Sequence, residues 1–147
     1  MRLIVTALCV LFTGHAAAQS CETVVEGNDM LQFNVSEITV PADCDSFSIT
    51  LKHVGALPVE SMGHNVVISE TSEFQALATA SIAAGLENNY VVQGDDRVLA
   101  ASDMIGGGEE TTLVVDVSGW DRAGDYTFFC TFPGHVAIMN GKFILES

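Results

Sequence analysis

A thiol, an imidazole and a thioether fall within ten residues near the C-terminus, as Cys130, His135 and Met139 of Phe128-Phe129-Cys130-Thr131-Phe132-Pro133-Gly134-His135-Val136-Ala137-Ile138-Met139. An apolar strand ending at Cys130, followed by the turn that Pro133-Gly134 forces, can fold back so that donors of decreasing charge converge on one point. Soft sulfur with imidazole selects copper, and two His, one Cys and a weak axial Met suit electron transfer. Met alone would read as core filling and Cys alone as a buried thiol. The Cys-x4-His-x3-Met spacing carries the metal reading.

The second imidazole must come from elsewhere. His15 lies in a segment read below as removed, which leaves His53 and His64. His64 sits in Met62-Gly63-His64-Asn65. Gly63 permits close backbone approach, so its carbonyl can face a metal, and the Asn65 amide can tie the two ligand loops together. His64 is therefore the expected ligand. His53 follows an alternating strand and precedes Gly55, and reads as a packed, hydrogen-bonded histidine; a buried His near a metal can also titrate with redox state.

The cysteine count supports a separate task for Cys130. Four are present, and Cys9 falls in the leader. Cys21, Cys44 and Cys130 remain, an odd number for an oxidising compartment, so one thiol has another job. Cys21 and Cys44 lie 23 residues apart, and closing such a loop contributes about 3 kcal/mol. Sequence alone does not fix which pair is bridged.

Residues 1–18 read as a secretory signal: Met1-Arg2 is a positive start, Leu3 to Phe12 an apolar run and Ala16-Ala17-Ala18 a small-residue cleavage site. No later segment approaches the roughly 20 apolar residues that a spanning helix needs, so membrane insertion is not expected. Residues 19–147 then form one domain, large enough for a hydrophobic core but not for two. Without Arg2, four basic side chains face nineteen acidic ones, a net charge near −15. Such a charge excludes nucleic acid as a partner.

The elements that must hold these residues are short. Ser46-Phe47-Ser48-Ile49-Thr50-Leu51 alternates with period two, which is the mark of a half-buried strand. Further strands are expected at Gln32 to Asn34, Ile38 to Val40, Asn65 to Ile68, Tyr90 to Val92, Thr111 to Val117, Tyr126 to Phe129 and Lys142 to Leu145. Many short strands with Gly and Asn turns predict a sandwich or barrel. Ser72 to Ala84 breaks the pattern, with Phe74, Leu77, Ala78 and Ile82 at helical spacing, Ser72 as N-cap and Gly85 as C-cap. It predicts one helix near residues 72–85, packed outside the sheets.

The sequence closely resembles the azurins, bacterial periplasmic blue copper proteins of the cupredoxin family. The residues that carry the resemblance are Cys130-Thr131-Phe132-Pro133-Gly134-His135 with Met139, Met62-Gly63-His64-Asn65, Gly27-Asn28-Asp29, Ile38-Thr39-Val40, and Cys21 with Cys44. The resemblance implies an all-β, eight-stranded Greek-key sandwich with the external helix. It implies one copper ion held by His64, Cys130 and His135, with Met139 and the Gly63 carbonyl as weak axial contacts, and a Cys21–Cys44 disulfide. The chain departs from the family pattern at Val66, where tryptophan is common, at Val54, where proline is frequent, in placing its single tryptophan at Trp120, and in its strong acidity.

These expectations give a periplasmic one-electron carrier, not an enzyme, that cycles between Cu(I) and Cu(II). The alternative is a periplasmic copper-binding or delivery protein. Three histidines in the mature chain are too few for a second catalytic copper. Backbone N–H groups near Asn65 and Phe132 are the expected hydrogen-bond donors to the Cys130 sulfur. Partners are expected to dock over the exposed edge of His135, on an apolar patch of Leu31, Leu57, Met62, Phe132, Pro133 and Ala137. The acidity predicts redox partners with a basic face, such as c-type cytochromes or reductases, meeting a monomer in transient complexes.

Overall fold

The computed structural model describes residues 20–147; the expected leader and its cleavage site lie outside the described residues. Nine strand segments form two sheets. The first contains β1 (Glu22–Asn28), β2 (Gln32–Phe33), β4 (Ser46–His53) and β7 (Glu110–Asp116), in the order β2-β1-β4-β7. The second contains β3 (Glu37–Val40), β5 (Val67–Glu70), β6 (Ala100–Ala101), β8 (Tyr126–Phe129) and β9 (Asn140–Leu145), in the order β3-β9-β8-β5-β6. Both sheets are mixed: β1 runs parallel to β4 and β3 parallel to β9. Two of the nine, β2 and β6, are only two residues long.

The alternation read in β4 places Phe47, Ile49 and Leu51 in the core, where they meet Val25, Leu113 and Val115 from their own sheet and Ile38, Ile68, Phe128 and Phe143 from the other. Each such side chain contributes roughly 1.5–3 kcal/mol on burial. Val66, fully buried, occupies the core, and Trp120 packs its ring 5.0 Å from Tyr126 and 5.9 Å from Phe143. Strand β8 is buried on both faces: Phe128 points into the sandwich, while Phe129 joins Val67, Leu77, Ala78 and Val91 in a second cluster beneath the helix. The chain leading to Cys130 is thus dry on both sides.

The external helix, α2, spans Phe74–Ser81 and tightens into a 3₁₀ turn over Ile82–Ala84. Gly85 follows at φ 75°, as its C-cap role requires. Ser72 is not the cap; Glu73 holds that position without a side-chain cap bond. A four-residue helix, α1 (Val59–Met62), was not expected. Tyr90 lies in a turn and Val91-Val92 in irregular chain, so the expected strand over Tyr90 to Val92 does not form. Cys21 is joined to Cys44, with Cα atoms 5.7 Å apart, which ties the start of β1 to the start of β4. Among the described residues, no helix is long and apolar enough to cross a membrane.

Candidate metal centre

Two loops supply the centre. Cys130 follows β8, and its N–H donates to the Met139 carbonyl (3.0 Å). The chain between them turns at Gly134, φ 84°, into a 3₁₀ turn over His135–Ala137. The N–H of Met139 donates to the His135 carbonyl (2.8 Å). This loop therefore brings His135 back over Cys130, with His135 Nδ1 3.6 Å from Cys130 Sγ. His64 comes from the loop after α1, and a two-way backbone bridge with Ile105 (3.0 and 2.9 Å) holds it in place. One donor atom from each of His64, Cys130 and His135 lies within 4.8 Å of the other two, and all three residues are buried.

A single ion fits this arrangement, and His64 shows it most clearly. Its Nε2 lies 3.0 Å from the carbonyl of Asn28, so Nε2 carries the proton and donates it there. Nδ1 then holds a bare lone pair, fully buried and without a partner. A buried unsatisfied nitrogen costs about 1–3 kcal/mol unless something accepts its lone pair. Burial pushes the His64 pKa down against the pull of the Asn28 carbonyl. Burial also lowers that of His135, to about 4, with the charges of His64 and His53 adding to the effect. Both imidazoles are thus neutral and able to ligate at ordinary pH.

The thiol behaves oppositely. Burial pushes the Cys130 pKa up to about 11, although the backbone N–H groups of Asn65 and Phe132 both pull it down. Those two donors are the ones expected from the sequence. A bound cation would ionise this sulfur, and the donor set of one thiolate and two imidazoles is that of a copper site.

The surroundings fix the loops. Asn65, fully buried, accepts from the Thr131 N–H (2.9 Å) and donates to the Thr131 hydroxyl (2.8 Å), so it ties the His64 loop to the Cys130 loop. The Gly63 carbonyl lies 3.8 Å from Cys130 Sγ. A Cβ on Gly63 would sit 2.8 Å from both Met104 Sδ and the Val59 carbonyl, so only glycine fits this approach. Met139 is fully buried, on backbone paired to Cys130.

His53 is a packed core histidine. It accepts from the Gly55 N–H at Nδ1 (3.1 Å), so its Nε2 donates to the Met62 carbonyl (2.8 Å), and its ring stacks 4.3 Å from that of His64. Both nitrogens are engaged, which leaves none for a metal.

The patch residues are not equally open. Leu57 and Ala137 are exposed, whereas Leu31, Met62, Phe132 and Pro133 are half-buried. His135 is only 3 % exposed, with the Phe132 ring 4.6 Å away, so its edge is a thin barrier rather than an open face. Sequence reasoning missed Asn28 as the carbonyl that sets the His64 tautomer. It also missed Asp29, which accepts from the N–H groups of Ala56 (2.8 Å) and Leu57 (3.3 Å). Both stand in Gly27-Asn28-Asp29, where an Asn-Asp pair before a turn was the available signal.

Comparison with known proteins places this geometry. The family model for copper-binding proteins of the plastocyanin/azurin family matches residues 19–146. The azurin of Alcaligenes faecalis is 49 % identical over 128 residues, 87 % of this chain and all of that one. The azurin of Pseudomonas aeruginosa is 39 % identical over 145 residues, 99 % of this chain and 98 % of that one. A solved azurin (Az-iso2) from the obligate methylotroph Methylomonas sp. strain J superposes with a TM-score of 0.84 at 39 % identity, covering 88 % of this chain and all of that one. With its two mixed sheets, its external helix and its buried Cys-His-His group, the chain belongs to the copper-binding plastocyanin/azurin family.

Proposed function

We propose that this chain is an exported one-electron carrier with a mononuclear blue copper site. The observation that carries the reading is the unpartnered, buried lone pair of His64 Nδ1 facing Cys130 and His135. In this reading His64, Cys130 and His135 would hold the ion, with Met139 and the Gly63 carbonyl as weaker donors. Copper supplies the Cu(I)/Cu(II) couple, and everything else is positioning by the protein. Electron transfer is fast when the ligands barely move between the two states. The His64–Ile105 bridge, the Asn65–Thr131 clamp and the Cys130–Met139 pairing all restrain them. The N–H groups of Asn65 and Phe132 stabilise charge on the sulfur, and the dry shell of Phe129 and Phe132 excludes water; both tune the potential.

A copper delivery role is less well supported, because release would require exposing three buried donors. A catalytic role would need open coordination positions and more ligands, and His53 has both nitrogens occupied. Export to the periplasm rests on residues 1–18, and the disulfide fits an oxidising compartment.

Partners would dock on the patch of Leu31, Leu57, Met62, Phe132, Pro133 and Ala137. Residues 19–147 carry nineteen acidic and four basic side chains, and every cation among the described residues is engaged. Lys52 pairs with Glu110, Lys142 with Asp125, and Arg97 with Asp95 and Glu73, while Arg122 donates to the carbonyls of Cys44 and Glu146. Little positive charge is left to offset the acidic surface, so a partner with a basic face is steered in. Stopped-flow transfer to a cationic c-type cytochrome should slow at least about tenfold between low salt and about 0.5 M. A rate independent of salt would contradict the steering.

A further inference from the structure

Two consecutive residues without glycine's freedom adopt the left-handed conformation: Asn89 at φ 56° and Tyr90 at φ 50°. Asn tolerates that region better than most residues, but Tyr does not, and such a conformation persists only where its surroundings over-determine it. The pair follows a second 3₁₀ turn, Leu86–Asn88, beyond Gly85, and local backbone bonds hold it: Asn89 N–H to the Leu86 carbonyl (2.9 Å) and Tyr90 N–H to the Gly85 carbonyl (2.9 Å).

The left-handed turn puts every side-chain polar atom of Asn89, and its carbonyl, to use. The carbonyl accepts from Asn65 Nδ2 (3.0 Å). Oδ1 accepts from the Met104 N–H (3.0 Å), and Nδ2 donates to Asp103 Oδ1 (3.1 Å). These contacts reach the centre by two routes. Asn65 holds Thr131 beside Cys130, and Met104 precedes Ile105, whose backbone brackets His64. Tyr90 adds a third route, its ring packing edge-on against Phe132 at 5.5 Å, and Phe132 in turn against His135 at 4.6 Å.

We propose that the dipeptide Asn89-Tyr90 is an outer clamp for the metal centre, and that Asn89 is a positioning residue that touches no ligand yet fixes the loops of His64 and Cys130 at once. The strain in the turn is the consequence of aiming one residue's carbonyl, its amide and its neighbour's ring at three different segments. The proposal rests on the copper reading above, and its test separates the two.

Asn89→Gly keeps the left-handed backbone and removes only the side-chain bonds. In the metal-free protein, hydrogen exchange at the Ile105 N–H, which donates to the His64 carbonyl one residue beyond the Met104 that Asn89 holds, should quicken at least about tenfold. In the copper-loaded protein, electron self-exchange should slow about tenfold or more, in the range typical when outer partners of metal ligands are lost. A second pair of variants swaps donor and acceptor. Asn89→Asp sets a carboxylate against Asp103 and should loosen the clamp, and adding Asp103→Asn should restore both rates. A lower melting temperature with both rates unchanged, or a double variant no better than Asn89→Asp, would overturn the clamp. If Asn89→Gly fails to fold, the swapped pair decides. Failure of the wild type to form a blue site would instead overturn the copper reading, since the exchange measurement needs no metal.

Discussion

Gly27→Ala should weaken copper binding at least about tenfold and alter the visible spectrum while leaving a folded sandwich. Gly27 lies in regular β1, paired with His53 of β4 and Phe33 of β2, so an alanine meets no backbone penalty. Its Cβ, however, would stand 2.6 Å from His64 Cδ2 and 3.1 Å from Cγ. The ring cannot easily retreat, because it is stacked by His53 at 4.3 Å, tethered at Nε2 to the Asn28 carbonyl and wholly buried. Overpacking of this kind costs about 1–3 kcal/mol, and any tilt that relieves it swings Nδ1 away from Cys130 and His135. Copper titration of the variant checks this, and wild-type affinity with an unchanged spectrum would refute the ligand role of His64.

Copper affinity should rise about tenfold for each pH unit across most of the accessible range, with one proton released per copper bound near neutrality. The sign follows from competition. Cys130 holds its proton up to about pH 11 in the metal-free protein, whereas a metal needs the thiolate, so raising the pH removes the competitor. Below about pH 4 His135 also takes a proton, and the dependence steepens. Metal-free stability should follow the same group. The folded-state pKa of His135 lies near 4, below its ordinary 6.5, so the unfolded chain protonates first. Stability is complete above about 6.5 and is lost as the pH falls towards 4. Copper should raise stability but steepen its fall with acid, because the bound Cys130 thiolate and His135 lone pair exclude protons that the unfolded chain takes up. Binding without proton release would contradict Cys130 as the ligand.

The Cys-His-His group was legible because its chemistry is local: Cys130 and His135 share a loop with Met139, and a Gly beside His64 announced a close backbone approach, at a point where an added Cβ would meet Met104 and Val59. Parts of the fold were less so. Strand β1 escaped notice because Val24-Val25 breaks the alternation and Gly27 weakens strand propensity, while its parallel partner β4 is too distant for a hairpin signal. Its Val24 is 47 % exposed whereas Val25 is fully buried, a pattern only the sandwich explains. Tyr90 to Val92 failed for the opposite reason. Its β-rich composition is local, but the contacts of Asn89 with Asn65, Met104 and Asp103 override propensity and impose a left-handed turn. Choosing between His53 and His64 required only the neighbouring glycine and asparagine, yet the physical cause, two engaged nitrogens against one free lone pair, lies in contacts that no spacing reveals.

The central claim is a redox-cycling copper held by the Cys130 thiolate, and the visible absorption spectrum of the purified protein after addition of Cu(II), beside Cys130→Ser, tests it most directly. An intense sulfur-to-copper band that bleaches on reduction, returns on oxidation and is absent from Cys130→Ser is the predicted result. A folded, copper-loaded wild type without that band, or a Cys130→Ser variant that keeps it, would contradict the account.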